Sequence, residues 1–207
     1  MPHEQVKLDN LDSVYRIAYE LFIEYGIENT TKKMLVEKSG LSLSSISRYF
    51  SSKLDCVLQT AKWFAGNVRE TNVLCHARFS DGTHTGHEQI AIYLDVVKEL
   101  FYENPKLFVF CAECRAYVYR NSNDIKRDCE VLRQALGSFR FVEAIFIKGI
   151  KDGSIKPEIN AKHEAIILRE TYIGFLASMA LSSDRDPAFG GVLLAHFIRE
   201  TLARYGS

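Results

Sequence analysis

The sequence predicts an all-α protein, with an N-terminal three-helix unit over residues 1–52 joined to a larger helical domain over 53–207. Three observations predict it. Apolar residues recur with a helical period along most of the chain. Only four prolines interrupt 207 residues. Near the N-terminus two short helical patterns flank a turn at Gly40, the spacing of a helix-turn-helix.

The first helix is expected from about Asn10 to Tyr25. There Leu11, Val14, Ile17, Ala18, Leu21, Phe22 and Tyr25 form the i, i+3, i+4, i+7 stripe of a helix with one buried face. Gly26 supplies its C-terminal stop. Thr30 or Thr31 is the expected N-cap of a second helix that ends near Ser39 and buries Met34, Leu35 and Val36. Gly40 then breaks the chain, and Ser42 caps a third helix. Its inner side is expected to carry Leu43, Ile46 and Phe50, and its outer side Ser44, Ser45, Ser47 and Arg48.

That third helix lies in "GLSLSSISRYFSSK", residues 40 to 53, six of whose fourteen positions are serine. Serine competes for its own backbone and belongs in caps and turns, so a serine-faced helix is not explained by stability. A helix that enters the DNA major groove explains it: short hydroxyls allow close approach, and they both donate and accept. Charge agrees. The whole chain has net charge zero, but residues 1 to 28 hold two basic against six acidic side chains. Residues 29 to 53 hold five basic (Lys32, Lys33, Lys38, Arg48, Lys53) against one acidic (Glu37). Such a block suits phosphate neutralisation. Thr31 with the free amides opening the second helix is placed to hold one phosphate, and Lys53, opening the next helix, another.

The stretch from 14 to 58 resembles the DNA-binding domain of the TetR family of transcriptional regulators. The resemblance rests on "A..LF...G...TT" (Ala18, Leu21, Phe22, Gly26, Thr30, Thr31), "GLS" (Gly40, Leu41, Ser42) and "RYF.SK" (Arg48, Tyr49, Phe50, Ser52, Lys53). It implies DNA contacts, mostly to phosphates, by Thr31, Ser42, Ser45, Tyr49 and Lys53. With the outer-face residues and the basic block, the expected DNA-binding set is Thr31, Lys32, Ser42, Ser44, Ser45, Ser47, Arg48, Tyr49 and Lys53. Two positions depart from the family pattern: the usual small residue at 44 and the usual aromatic at 47 are both serine. An operator sequence is therefore not transferable from relatives.

From Lys53 onward a stripe of Leu54, Val57, Leu58, Ala61, Phe64 and Val68 predicts one long helix. A loop is expected at 80–89, followed by helices over roughly 88–103, 105–120, 124–151, 161–181 and 187–204, with a second loop at 151–160. The last two are apolar on more than one face and carry small residues (Gly174, Ala177, Ser178, Gly190, Gly191, Ala195). The resemblance implies that this pair forms a homodimer interface, for which Ile173, Leu176, Ala177, Val192, Leu193, His196 and Phe197 are the candidate residues. A twofold dimer spaces its recognition helices by roughly 34–36 Å and demands a palindromic operator. A small-molecule effector is likewise implied. Aromatics and a few polar groups in the middle of the chain are candidate lining: Trp63, Phe64, Asn67, Phe101, Phe108, Cys111, Arg115, Phe139, Glu143, Phe146 and Tyr172.

The expected function is a homodimeric, ligand-responsive repressor released from its operator by an apolar or aromatic effector. Two alternatives stand beside it: an activator or effector-free DNA binder, and a metal or thiol-redox sensor using Cys111 and Cys114 of "CAEC". His84 and His87, near Cys75 and His76, are a weaker metal candidate. No GxSxG, HExxH, Walker or GxGxxG pattern occurs, so no enzyme activity and no cofactor is expected. Five cysteines without secreted spacing, an acidic start unlike a signal peptide and the lack of a long apolar run predict a cytoplasmic protein without a membrane partner.

Overall fold

A computed structural model describes residues 2–79, 82–135, 139–182 and 187–207. Ten helices occur among them: α1 (Pro2–Tyr25), α2 (Lys32–Ser39), α3 (Leu43–Tyr49), α4 (Lys53–Arg78), α5 (Gly86–Glu103), α6 (Lys106–Asn121), α7 (Ile125–Ala135), α8 (Arg140–Asp152), α9 (Ala161–Leu181) and α10 (Pro187–Tyr205). An isolated bridge between Ile155 and Gly206 is the extended pairing among the described residues. The fold is all-α, with an N-terminal helix-turn-helix and further helices C-terminal to it. The chain divides into two compact units, residues 1–68 with 110–137, and residues 69–109 with 138–207.

In the first unit the periodic stripe of α1 is buried at its centre, whereas Tyr25, its last expected member, is 46% exposed at the helix end. Val14, Ala18, Leu21 and Phe22 are buried, as are Leu35 of α2, Ile46 of α3 and Phe50. Thr31 caps α2, its Oγ1 accepting from the Met34 N–H at 3.3 Å. Gly40 closes α2 at φ 69°, donating its N–H to Val36 O at 2.9 Å; this left-handed turn is the one a side chain resists. Ser42 caps α3 by accepting from Ser45 N at 3.2 Å. The inner side of α3 differs from expectation at one place. Ile46 is 0% exposed and Phe50 1%, but Leu43 is 57% exposed. As the first residue of the helix, Leu43 lies a turn before Ile46, beyond the reach of the three-helix core.

The second unit is built on α5, α8, α9 and α10. Ile90, Leu94, Val97, Phe146, Leu168, Tyr172, Leu176 and Leu194 belong to one continuous cluster, within which the Tyr172 hydroxyl donates to Leu94 O at 2.9 Å. Helices α5 and α8 approach so closely that a Cβ on Gly86 would sit 2.2 Å from the Gly149 Cα and N. The Gly86 N–H is taken up by Asp152 Oδ2 at 2.8 Å.

Three boundaries differ from the sequence reading. Helix α1 starts at Pro2, well before the periodic stripe begins. Helix α5 starts at Gly86, inside the expected loop, because Thr85 and Glu88 form a capping box. The run expected as one helix over 124–151 is two, α7 ending at Ala135 and α8 starting at Arg140.

Candidate nucleic-acid interface

Three helix starts organise the polar face of the first unit. At α2, Thr31 is spent on the cap, which leaves the next amides free for an anion. Replacing Thr31 by alanine is expected to cost about 1 kcal/mol of stability, read as a lower urea midpoint. At α3, hydroxyls form a short chain: Ser42 Oγ lies 2.9 Å from Ser44 Oγ and 3.0 Å from Ser45 Oγ. The Arg48 Nη2 donates to Ser45 Oγ at 3.2 Å. From α2, Lys32 Nζ donates to Ser47 Oγ at 3.4 Å. At α4, Ser52 Oγ accepts from Asp55 N at 3.0 Å, while the Asp55 carboxylate accepts the Ser51 N–H at 2.8 Å and its hydroxyl at 3.0 Å.

Lys53 opens α4 with its ammonium on Glu28 O at 2.5 Å and 5.8 Å above the Tyr117 ring. Between the starts of α2 and α4 lies a cavity of about 260 Å³, with Lys32, Thr31 and Lys53 at its rim and Phe22, Leu35, Phe50 and Cys56 below. Burial pushes the Cys56 thiol up to about 12, so it is an uncharged wall at neutral pH.

Hydrogen bonds join Lys32 to Ser47 and link Ser42, Ser44, Ser45 and Arg48, and Thr31, Lys32 and Lys53 share the rim of the cavity. Thr31, Lys32, Ser42, Ser44, Ser47 and Arg48 are exposed; Ser45, Tyr49 and Lys53 are half-buried. Sequence reasoning missed Leu43, which the face also carries. It missed the bracing from α6 as well: Glu113 Oε2 accepts the Ile27 N–H at 3.3 Å and Arg120 pairs with Glu28 at 3.3 Å. Those partners are separated by 86 and 92 residues, and no local pattern announces them.

The expected lining residues are divided between the two units. Trp63, Phe64, Cys111 and Arg115 belong to the first unit; Phe101, Phe108, Phe139, Glu143, Phe146 and Tyr172 belong to the second. The side chain of Asn67 lies outside the described residues. Several are plainly packed. Phe64 stacks on Tyr19 at 5.3 Å and meets Phe110 edge-on at 5.6 Å, and Trp63 Nε1 donates to Asp12 Oδ1 at 2.5 Å. Phe101 and Phe108 meet edge-on at 5.5 Å. Phe146 and Tyr172 are fully buried against Tyr205 and Phe197.

Cys114 is 0% exposed, and burial pushes its thiol well up, while Cys111 beside it is half-buried. Among the described residues no group of three or more His, Cys, Asp or Glu is placed to hold a metal ion.

Of the interface candidates, Leu176 and Ala177 lie in the core of the second unit. Val192 and His196 are exposed and Ile173 is half-buried. Leu193, His196 and Phe197 line an open groove of about 420 Å³ with Phe175. Ile166, Ile167 and Leu181 are further exposed apolar side chains of α9, which sequence reasoning did not single out as interface candidates. Among the described residues no helix is long and apolar enough to cross a membrane.

Comparison with known proteins agrees with this geometry. The family model for bacterial regulatory proteins of the tetR family matches residues 15–60, the segment that carries α2, α3 and the start of α4. Over 194 residues the chain is 27% identical to a xylose isomerase of Bacteroides thetaiotaomicron, covering 87% of this chain and 42% of that protein. Over 106 residues it is 23% identical to an HTH-type transcriptional regulator of Staphylococcus aureus, covering 51% and 55%. The chain thus spans about half the length of the curated relatives it matches. Its fold is similar to that of the transcriptional regulator FadR from Bacillus subtilis, solved in complex with stearoyl-CoA, with a TM-score of 0.69 at 14% identity over 92% of this chain and 94% of that one. The helix-turn-helix and its polar outer face fall within the same residues, 15–60, that match the model for bacterial regulatory proteins of the tetR family.

Proposed function

We propose that the chain is a cytoplasmic, homodimeric repressor that binds a palindromic operator through α3 and leaves it when a small apolar or aromatic effector binds. The observation that carries the DNA-binding part is the single face that joins the α2 start, the hydroxyl row of α3, Arg48, Lys32 and Lys53. Phosphate contacts from lysines and helix starts position such a face, and side chains of the groove helix specify the sequence. The dimer reading is supported by exposed Ile166, Ile167, Leu181 and Val192 on α9 and α10, apolar surface that a second copy covers. The effector reading is supported by the aromatic content of the chain and by the FadR of similar fold, which was solved with an acyl-CoA. Release requires the effector to prefer the state with lower operator affinity.

The test is fluorescence anisotropy of the full chain on duplexes selected from a random library, repeated over a salt series. Affinity is expected to fall by roughly a thousandfold between 50 and 200 mM salt if about six phosphates are neutralised. Binding that is neither salt-sensitive nor sequence-preferring sinks the reading, and a monomer mass by sedimentation sinks the dimer. A thermal-shift screen addresses the effector separately.

Ser47 offers a sharper check. It is exposed and its hydroxyl accepts from Lys32 on the surface, so Ser47→Tyr is expected to leave the melting temperature unchanged while altering operator affinity or preference. An unchanged binding profile means that this face does not meet DNA.

A further inference from the structure

We propose that Leu43 reads the 5-methyl group of a thymine in each operator half-site, resting on the reading of α3 as the groove helix. An exposed leucine is ordinary by itself; its position is what counts. Leu43 is the first residue of α3, and the N-terminal residues of a groove helix are the ones that meet base edges. Helical spacing sets Leu43 over Ser47 and Ser44 over Arg48, so these four make up two adjacent rows, all of them exposed. Ser47 is fixed from behind by Lys32 at 3.4 Å, and Arg48 by Ser45 at 3.2 Å.

Chemistry then assigns the roles. A serine hydroxyl both donates and accepts, and so accommodates any base pair. The serines permit close approach but discriminate little. Discrimination falls to the two side chains with a one-sided preference: Arg48, whose guanidinium suits guanine O6 and N7, and Leu43, which can make only apolar contact. The thymine methyl is the one apolar group on the major-groove edge of an unmodified base pair. At 57% exposure Leu43 has free apolar surface to bury there. A half-site with a thymine close to the Leu43 end of the helix and a guanine one turn further along follows.

The experiment uses the full chain and its selected duplex, with each thymine replaced in turn by deoxyuridine, which deletes the methyl and leaves the hydrogen-bonding edge. One thymine per half-site is expected to weaken binding about fourfold when replaced, the value of one buried methyl group. Leu43→Ala is expected to bind the natural duplex more weakly and to bind the thymine and deoxyuridine duplexes alike. Its circular dichroism and melting temperature stay those of the parent, since the side chain lies outside the core. Equal affinity of the parent protein for every deoxyuridine duplex overturns the proposal, as does a Leu43→Ala variant that keeps the parent's preference for thymine. Salt-sensitive operator binding without any methyl effect refutes the thymine contact alone. Absence of all sequence-preferring binding refutes the groove-helix reading with it.

Discussion

Truncating Phe50 to alanine is expected to remove about 3–5 kcal/mol of stability and to abolish operator binding at 37 °C. Phe50 is 1% exposed, ends α3 with its N–H on Ile46 O at 3.0 Å, and packs its ring on Tyr15 of α1 at 5.8 Å between centroids. It also lies under the cavity between the α2 and α4 starts. Its loss therefore opens a void where α3 meets both the core and the rim that carries Thr31, Lys32 and Lys53. The measurement is the urea midpoint together with anisotropy on operator DNA. A midpoint shift below about 1 kcal/mol would contradict a packed aromatic at this place. Leu43→Ala is the contrast on the same short helix, with little change in stability and a change in DNA preference.

The second large effect is expected at Gly86. Alanine is the better helix former by up to about 1 kcal/mol, so propensity favours Gly86→Ala. The contact geometry opposes it with greater force. A Cβ there would lie 2.2 Å from the backbone N and Cα of Gly149 and 2.8 Å from Ile145 O, all backbone atoms that cannot swing aside. Helices α5 and α8 would have to part, with strain on the Gly86 N–H to Asp152 bond. The expected result is a net loss of about 2–3 kcal/mol, measured by chemical denaturation. A neutral or stabilising outcome would show that the two helices are not in backbone contact.

Much of the N-terminal unit was legible because its signals are local. The caps at Thr31 and Ser42, the stop at Gly40 and the stripe of α1 each depend on residues within four positions of one another, and one turn of helix is the range over which sequence spacing dictates contact. The last two helices were legible for the same reason, as continuous apolar runs. Legibility failed where a boundary rested on a competing local signal, as with the Thr85–Glu88 capping box that starts α5 inside a polar stretch. It failed too where burial depended on what stands opposite. Leu43 has the right period for the core but is 57% exposed, whereas Leu176 and Ala177 have the look of interface residues but pack into their own unit.

The sequence by itself determined the helical class, the helix-turn-helix and the set of hydroxyl and basic groups on its outer face, because propensity, capping and charge are carried by neighbouring residues. Only the tertiary structure decided that Glu113 and Arg120 brace the segment leading into α2, that Gly86 meets Gly149 and that Leu43 stands free. Each of those facts joins, or fails to join, residues far apart in the chain, and packing alone selects among such pairs.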